Sequence, residues 1–401
     1  MTTFTERPDY DMYGPAVIAD PYPTYSAMRA AGPLVKVGGT WFVTNYALAD
    51  QLLKSQLFGR GEYTGLMREA LGQGPLFDSL SKWMLYLDPP DHTRIRALVM
   101  RAFTPRAVAR LRTLIQSMVD DLIDGLDLRR ETDFLRDFAH PLPVQVICEL
   151  LGVPVADREE FKTWSTDLAR GLQITALTPE IVRKGNDAAA NLSGYFRALI
   201  DERRNSPRDG FLDDLIAARY EGGSLSEDEL LATSVLLFFA GHETTVNLMG
   251  NGLVAMLRAR GEWEALCADP GLARTAVEEM LRFDTPVQRG SRVLLEDVEI
   301  AGEPLKAGEL IIILIAGANR DPAQFHDPDQ FMIRRADGAN LSFSAGPHYC
   351  LGATLARVEA EIAMATLAQR CPNLTLATEN LTYRPNVVMR GLESIPVTAL
   401  R

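Results

Sequence analysis

Between Ser226 and Arg260 the chain contains no proline, and the stretch opens with Ser226-Glu227-Asp228-Glu229, a serine followed three residues later by glutamate. That spacing forms a capping box, so a helix is predicted to start there and to run to about Arg260. At 1.5 Å per residue it is a rod of roughly 45–50 Å, long enough to cross a whole domain. Its first half is apolar nearly all round, with Leu230, Leu231, Val235, Leu236, Leu237, Phe238 and Phe239. A helix without a polar face must be wrapped by other elements. The expected fold is therefore mainly α, built around one long central helix.

The middle of this rod reads Ala240-Gly241-His242-Glu243-Thr244-Thr245. Burying a carboxylate and two hydroxyls in such a helix costs several kcal/mol unless they have partners or a task. Ala240 and Gly241 remove side-chain bulk, so a ligand can lie against the backbone. Thr244 can bond back to the carbonyl of Ala240, which bends the helix and opens a groove. An ordinary reading stands beside this one: threonines satisfy themselves on their own helix, and Glu243 reaches a salt-bridge partner.

A second stretch, Phe343-Ser344-Ala345-Gly346-Pro347-His348-Tyr349-Cys350-Leu351-Gly352, sets one cysteine in a glycine-pinned loop. From Ala353 to Ala368 the sequence ATLARVEAEIAMATLA repeats Leu355, Val358, Ile362 and Leu367 at roughly helical spacing, with no glycine or proline. Cys350 thus lies at a helix N-terminus, where free N–H groups and the macrodipole favour a thiolate and lower its pKa. Gly346 and Gly352 would let the backbone pass close to something flat, and His348 can offer a ring N–H to an anion. Taken alone, a cysteine in a turn is ordinarily a buried structural residue. The other cysteines, Cys148, Cys267 and Cys371, show no C-x-x-C spacing, which argues against a disulfide framework or a zinc site.

The remaining chain supplies context. Its 401 residues, 47% of them apolar, are ample for a substantial core, and residues 1–401 read as a single domain. A net charge of −12 argues against non-specific nucleic-acid binding. The N-terminus MTTFTERPDYDMYG lacks a charged-then-apolar leader, and no apolar run approaches the ~18 residues of a membrane span. A soluble, cytoplasmic, monomeric protein is expected. Leu34–Val37 and Thr40–Thr44 flank Gly38-Gly39 as a hairpin. The glycine-rich, apolar segment Phe58–Trp83 suits a lid or an ordinary surface excursion. In Leu87-Asp88-Pro89-Pro90-Asp91-His92-Thr93-Arg94-Ile95-Arg96 a helix starts after the proline pair, with His92 and Arg96 on one face. Glu279 and Arg282 stand side by side on a helix from about Leu272 to Phe283.

The F-x-x-G-x-x-x-C-x-G spacing of Phe343, Gly346, Cys350 and Gly352 resembles the haem-binding signature of the cytochrome P-450 superfamily. Ser344 departs from the bacterial form, which usually has a second glycine there. The resemblance implies a mainly α fold with a smaller β-rich portion, and haem b between the long helix and the Cys350 loop. Cys350 would be the axial thiolate that pushes electron density toward O–O cleavage. DPPDHTRIR is similar to the segment that binds the haem propionates, which assigns His92 and Arg96; Arg292 corresponds to a third propionate partner. Ala240-Gly241-x-Glu243-Thr244 matches the oxygen-activation motif, so Glu243 and Thr244 inherit the acid–alcohol role in delivering protons to O2. Glu279 and Arg282 become the family's structural pair, and the further arginine that joins them is expected at Arg320, with Arg334 as the alternative.

The implied activity is insertion of one oxygen atom from O2 into a lipophilic small molecule, such as a polyketide, terpenoid, steroid or fatty acyl chain. Electrons would come from NAD(P)H through a ferredoxin and a ferredoxin reductase. Arg101, Arg106, Arg110 and Arg112 form a hypothetical docking patch for an acidic donor, or else a solvated helix face. The substrate chamber is expected from Phe58–Trp83, Leu168, Leu172, Ile174, Leu177, Leu236–Phe239, Pro286-Val287 and Val388-Met389. The rivals are a peroxide-driven enzyme of the same fold and a non-catalytic haem-thiolate sensor; the acid–alcohol pair argues against both.

Overall fold

The structure is a computed structural model that describes residues 10–399 apart from 62, 104 and 173–176; the side chains of 105–110, 159 and 162 are also outside the described set. The central helix spans Glu227–Arg258, and its capping box forms in full. The Glu229 N–H donates to Ser226 Oγ at 3.3 Å, and the Ser226 N–H donates to Glu229 Oε2 at 2.8 Å. Glu229 also pairs with Arg94, pinning the start of the rod to the helix Asp91–Ala102.

Helices Pro141–Leu151, Pro179–Asn205, Ala273–Phe283 and Ala353–Arg370 pack against the rod and share one large apolar cluster with it. From Leu230 to Leu257 every residue of the rod is buried except Ala240, Gly241, Glu243 and Thr244. The interruption falls where the sequence places acid and alcohol: Ala240 is exposed, and Gly241, Glu243 and Thr244 are half-buried.

The β-rich portion is a five-stranded mixed sheet, in the order Leu34–Val37, Thr40–Val43, Leu310–Leu314, Arg289–Leu294, Phe58–Gly59. The first two strands form the hairpin expected around Gly38 and Gly39, with φ of 55° and 85° that only glycine adopts freely. Pro286-Val287 and Val388-Met389, expected separately as chamber walls, lie together: Val287 bridges Met389, and the Gln288 N–H donates to the Val388 carbonyl at 2.8 Å.

The segment Phe58–Trp83 is largely helical. It folds into helices Tyr63–Leu71 and Pro75–Leu80 with Met67, Leu71, Leu76, Phe77, Leu80 and Trp83 buried. Its apolar residues recur at helical spacing, while Gly72 and Gly74 take the turn between the helices at positive φ. Among the chamber leucines, Leu168 is buried and Leu172 and Leu177 pack at the edge of the core; Ile174 lies outside the described residues. Among the described residues no helix is long and apolar enough to cross a membrane.

Candidate active site

The cysteine loop is closed by its own backbone. The Cys350 N–H donates to the Phe343 carbonyl at 2.8 Å, and the Ser344 N–H to that of Leu341 at 2.8 Å. Ser344 sits at φ 63°, the left-handed region that disfavours side chains, so the departure from glycine is a strained position. Gly346, at φ 66°, passes so close to the helix Tyr46–Lys54 that a Cβ would meet the Leu53 carbonyl oxygen at 2.6 Å. Its missing side chain serves that crossing, whereas a Cβ on Gly352 would meet nothing within 4 Å. Arg357, one turn into the following helix, pairs with Glu278 and lays its guanidinium over the Phe343 ring, 4.5 Å from its centroid.

Burial raises the Cys350 thiol above its ordinary pKa, against the lowering pull of the Gly352 and Ala353 N–H groups and of Arg96 and Arg357. The expected depression by the helix terminus is therefore present but outweighed by desolvation. A bound metal deprotonates a coordinating thiol outright.

The loop is held from below by a chain of contacts that begins at Glu279. Arg282 donates to Glu279 through Nε at 2.7 Å and Nη2 at 2.8 Å, both side chains buried. Its Nη1 donates to the Asn319 carbonyl at 3.0 Å; Asn319 in turn accepts the Leu341 N–H at 2.7 Å and donates to Ser342 Oγ at 2.8 Å. The ion pair thus reaches the start of the cysteine loop through one asparagine.

The arginine that joins this pair is Arg335, not Arg320 or Arg334. Arg335 lies 3.1 Å from Glu279 and also pairs with Asp337 at 2.6 Å, with its side chain buried. Arg320 instead donates to the Phe283 carbonyl at 2.9 Å, pairs with Asp329 and stacks on Tyr22 and Phe283. Arg334 is exposed. The sequence signal was the Arg334-Arg335 pair itself, where the turn at Met332–Arg335 selects the second arginine.

The predicted anion-binding residues come together. The His92 and His348 rings lie 4.2 Å apart between centroids. Arg96 donates to the Tyr349 carbonyl at 2.7 Å, and Arg292 is buried with the Ser291 carbonyl as its partner among the described residues, where its Nη2 is an orphan. Burial, and then the charges of Arg60, His92, Arg292 and Arg96, push the His348 imidazole down to about 2. So much positive charge beside buried, unpaired N–H groups suits a ligand with carboxylates. Haem b, with two propionates and an iron for Cys350, fits this donor set.

On the central helix, Thr244 Oγ1 donates back to the Ala240 carbonyl at 3.3 Å, as expected. Gly241 behaves differently: its bare face is filled by Ile147 of the neighbouring helix, which a Cβ would meet at 2.8 Å, so it serves helix packing. Glu243 is paired with Arg384 of the C-terminal turn at 2.8 Å. Nothing in the sequence links these two, which lie 141 positions apart. His242 is turned away and fully buried. Its Nδ1 faces the Phe238 carbonyl at 2.8 Å, which can only accept, so Nδ1 carries the proton and Nε2 accepts from Ser165 Oγ at 2.6 Å.

Of the arginines in the hypothetical docking patch, Arg112 is paired with Glu361 at 2.9 Å and Arg101 lies near the Tyr220 ring; the side chains of Arg106 and Arg110 lie outside the described residues.

Comparison with known proteins agrees with this geometry. The family model described as cytochrome P450 matches residues 31–266 and 271–389. The chain is 38% identical to a vitamin D(3) 25-hydroxylase of Pseudonocardia autotrophica, over 99% of this chain and 98% of that protein. It is 39% identical to the cytochrome P450 monooxygenase PikC of Streptomyces venezuelae, over 97% and 93%. The crystal structure of P450BioI in complex with an acyl carrier protein ligated to hexadec-9Z-enoic acid superposes with a TM-score of 0.90 at 36% identity, covering 96% of this chain and 99% of that one. A cysteine loop braced by Glu279, a carboxylate-seeking cluster and an acid–alcohol break in the central helix accompany sequence identity along nearly the full length, and the chain belongs to the cytochrome P450 family.

Proposed function

We propose that this cytochrome P450 monooxygenase inserts one atom of O2 into a lipophilic small molecule, hydroxylating or epoxidising it, with electrons from NAD(P)H delivered by a ferredoxin and its reductase. The observation that carries the reading is the break in burial at Ala240, Gly241, Glu243 and Thr244 on a helix otherwise buried from Leu230 to Leu257. Haem b, held by Cys350 with His92, Arg96, Arg292 and His348 around its propionates, supplies the oxygen-activating chemistry when bound.

The chain's own residues then divide the proton work. Thr244 rests on a long bond to Ala240, so its hydroxyl turns toward the cleft at little cost and offers a donor there. Glu243, about four-fifths buried and held by the more exposed Arg384, links the Thr244 hydroxyl to solvent. His242 takes no part, because both its ring nitrogens are committed inside the core.

The substrate reading rests on composition and on the relatives. An open surface cavity of about 590 Å3 between the helix Tyr63–Leu71 and the start of the helix Pro179–Asn205 takes Leu71 and Leu177 from the expected chamber segments together with the polar Thr178, Arg183 and Asn186, and includes none of the residues around Cys350 or Thr244. The relatives include proteins named for vitamin D(3) hydroxylation and for polyketide biosynthesis. A polyketide, terpenoid, steroid or fatty acyl chain is the substrate class we assign, in bacterial secondary metabolism.

The test is turnover with a surrogate ferredoxin and reductase on a substrate found by the low- to high-spin shift of the ferric protein. Product should require both NAD(P)H and O2. In Thr244→Ala, NAD(P)H oxidation should continue while product per NAD(P)H falls about tenfold and peroxide accumulates. Product formation from peroxide at equal rate without NAD(P)H would replace the reading with a peroxygenase, and ligand binding without any product would replace it with a sensor.

A further inference from the structure

The strand Phe58–Gly59 pairs antiparallel with Arg289–Leu294, Phe58 opposite Leu294 and Gly59 opposite Val293. Continued by one residue, that register brings Arg60 to the level of Arg292. Two like charges at opposed positions of adjacent strands repel, and in a buried setting the repulsion is weakly screened. The arrangement is imposed by Asp88, whose carboxylate accepts the Arg60 N–H at 2.8 Å and the Gly61 N–H at 2.8 Å. Asp88 also begins the turn into the helix of His92, whose N–H donates to its carbonyl at 3.0 Å, so one residue ties Arg60 to the propionate cluster.

Among the described residues neither guanidinium finds partners for all its N–H groups. Arg60 donates through Nη1 to the Leu85 carbonyl at 3.2 Å, and its Nε is buried with no partner. Arg292 donates through Nη1 to the Ser291 carbonyl at 2.8 Å, and its Nη2 is likewise buried and unpaired. Burial, and next the charge of Arg60, hold the Arg292 guanidinium well below its ordinary pKa, with the Asp88 carboxylate opposing them in part. The charge of Arg60 also bears on His348 and His92. Two neighbouring buried cations that share the one carboxylate of Asp88, each with an orphan N–H, are favourable around a further anion.

We propose that Arg60 is a haem-carboxylate residue, sharing one propionate with Arg292 through its orphan Nε. The assignment rests on the haem-thiolate reading and adds a cation to the set His92, Arg96 and Arg292. It is a binding and positioning role, separate from the acid–alcohol chemistry of the central helix.

The experiment is haem transfer from the holoprotein to excess apomyoglobin, with the reduced carbon monoxide spectrum recorded first. If the wild-type protein lacks the long-wavelength band of thiolate coordination, the haem-thiolate reading fails and not this proposal alone. With the band present, Arg60→Gln, which keeps a donor for Leu85 but no charge, should lose haem at least tenfold faster than wild type and show a more negative iron reduction potential. Arg60→Lys, restoring the charge, should return both toward wild type. In an Arg292→Gln background the effect of Arg60→Gln should shrink, because the shared carboxylate is already half released. Haem loss within twofold of wild type in Arg60→Gln overturns the proposal. So does any Arg60 variant that hastens the loss of haem dimethyl ester, which has no carboxylates, as much as that of haem; this readout holds for Arg60→Lys even if the glutamine variant fails to fold.

Discussion

Ser344 is where one side chain works against its own backbone. At φ 63° it holds a conformation that costs an L-residue roughly 1–2 kcal/mol, and its hydroxyl is buried without a partner. Ser344→Gly should therefore stabilise the holoprotein by about 1 kcal/mol and raise Tm by about 2 °C in a thermal melt, with the thiolate spectrum unchanged. A lower Tm would mean that the hydroxyl has a partner in the holoprotein. At the same scale, Cys350 shows why a terminus argument needs its surroundings: the helix N–H groups lower the thiol as the sequence implied, and desolvation by the packed loop outweighs them.

Among elements, the contacts that matter join segments far apart in the chain. Glu279 receives Arg282 from its own helix and Arg335 from a loop, and Arg282 passes the connection to the cysteine loop through Asn319. Removing one member of a buried charge cluster leaves the rest uncompensated, so Arg335→Ala should lower the unfolding free energy by about 3–5 kcal/mol. Arg334→Ala, one residue earlier and exposed, should change it by less than about 0.5 kcal/mol. Urea titrations of the two variants decide between them, and equal losses would show the assignment of the third arginine to be wrong. The C-terminal turn makes a second such junction. Gly391 crosses the central helix so closely that a Cβ would meet Asn247 Oδ1 at 2.0 Å, and this crossing carries Arg384 to Glu243. Arg384→Gln should cut product per NAD(P)H about tenfold and enlarge the solvent isotope effect while leaving the thiolate spectrum intact. Unchanged coupling would remove Arg384 from the proton path.

For the molecule as a whole, two buried titratable groups outside the haem loop tilt stability in opposite directions with pH. Burial holds the His242 imidazole below its ordinary pKa, opposed by the Glu243 charge and the bond to the Phe238 carbonyl; Ser165 and the His140 ring also face it. The unfolded chain binds a proton below about 6.5 that the folded chain refuses, so stability is complete above that pH and is lost as pH falls, by up to about 1.4 kcal/mol per unit. Glu359 is the reverse case. Burial alone raises its carboxyl well above the usual range, with Oε2 unpartnered. The folded chain keeps a proton that the unfolded chain releases above about 4.3, so its contribution is fullest in acid and is lost as pH rises toward the folded value. Unfolding free energies measured from pH 5 to 8 should show Glu359→Gln gaining on wild type as pH rises. His242→Gln should gain on wild type as pH falls below 6.5. A difference that does not change with pH in either variant would show that group to be solvated in the folded protein.

The features legible in the sequence are those whose geometry closes within a few residues. The capping box at Ser226 and Glu229, the hairpin at Gly38-Gly39, the Thr244–Ala240 bond and the Glu279–Arg282 pair are all set by the pitch of one helix or the twist of one turn. The spacing around Cys350 belongs with them and carried the family resemblance. Only the tertiary structure decided which arginine reaches Glu279, that Gly241 makes room for Ile147 and Arg384 pairs with Glu243, and that Phe58–Gly59, leading into Arg60, pairs with the strand of Arg292. Each of these depends on what packs opposite a residue, which is fixed by the burial of the whole core and not by any local repeat.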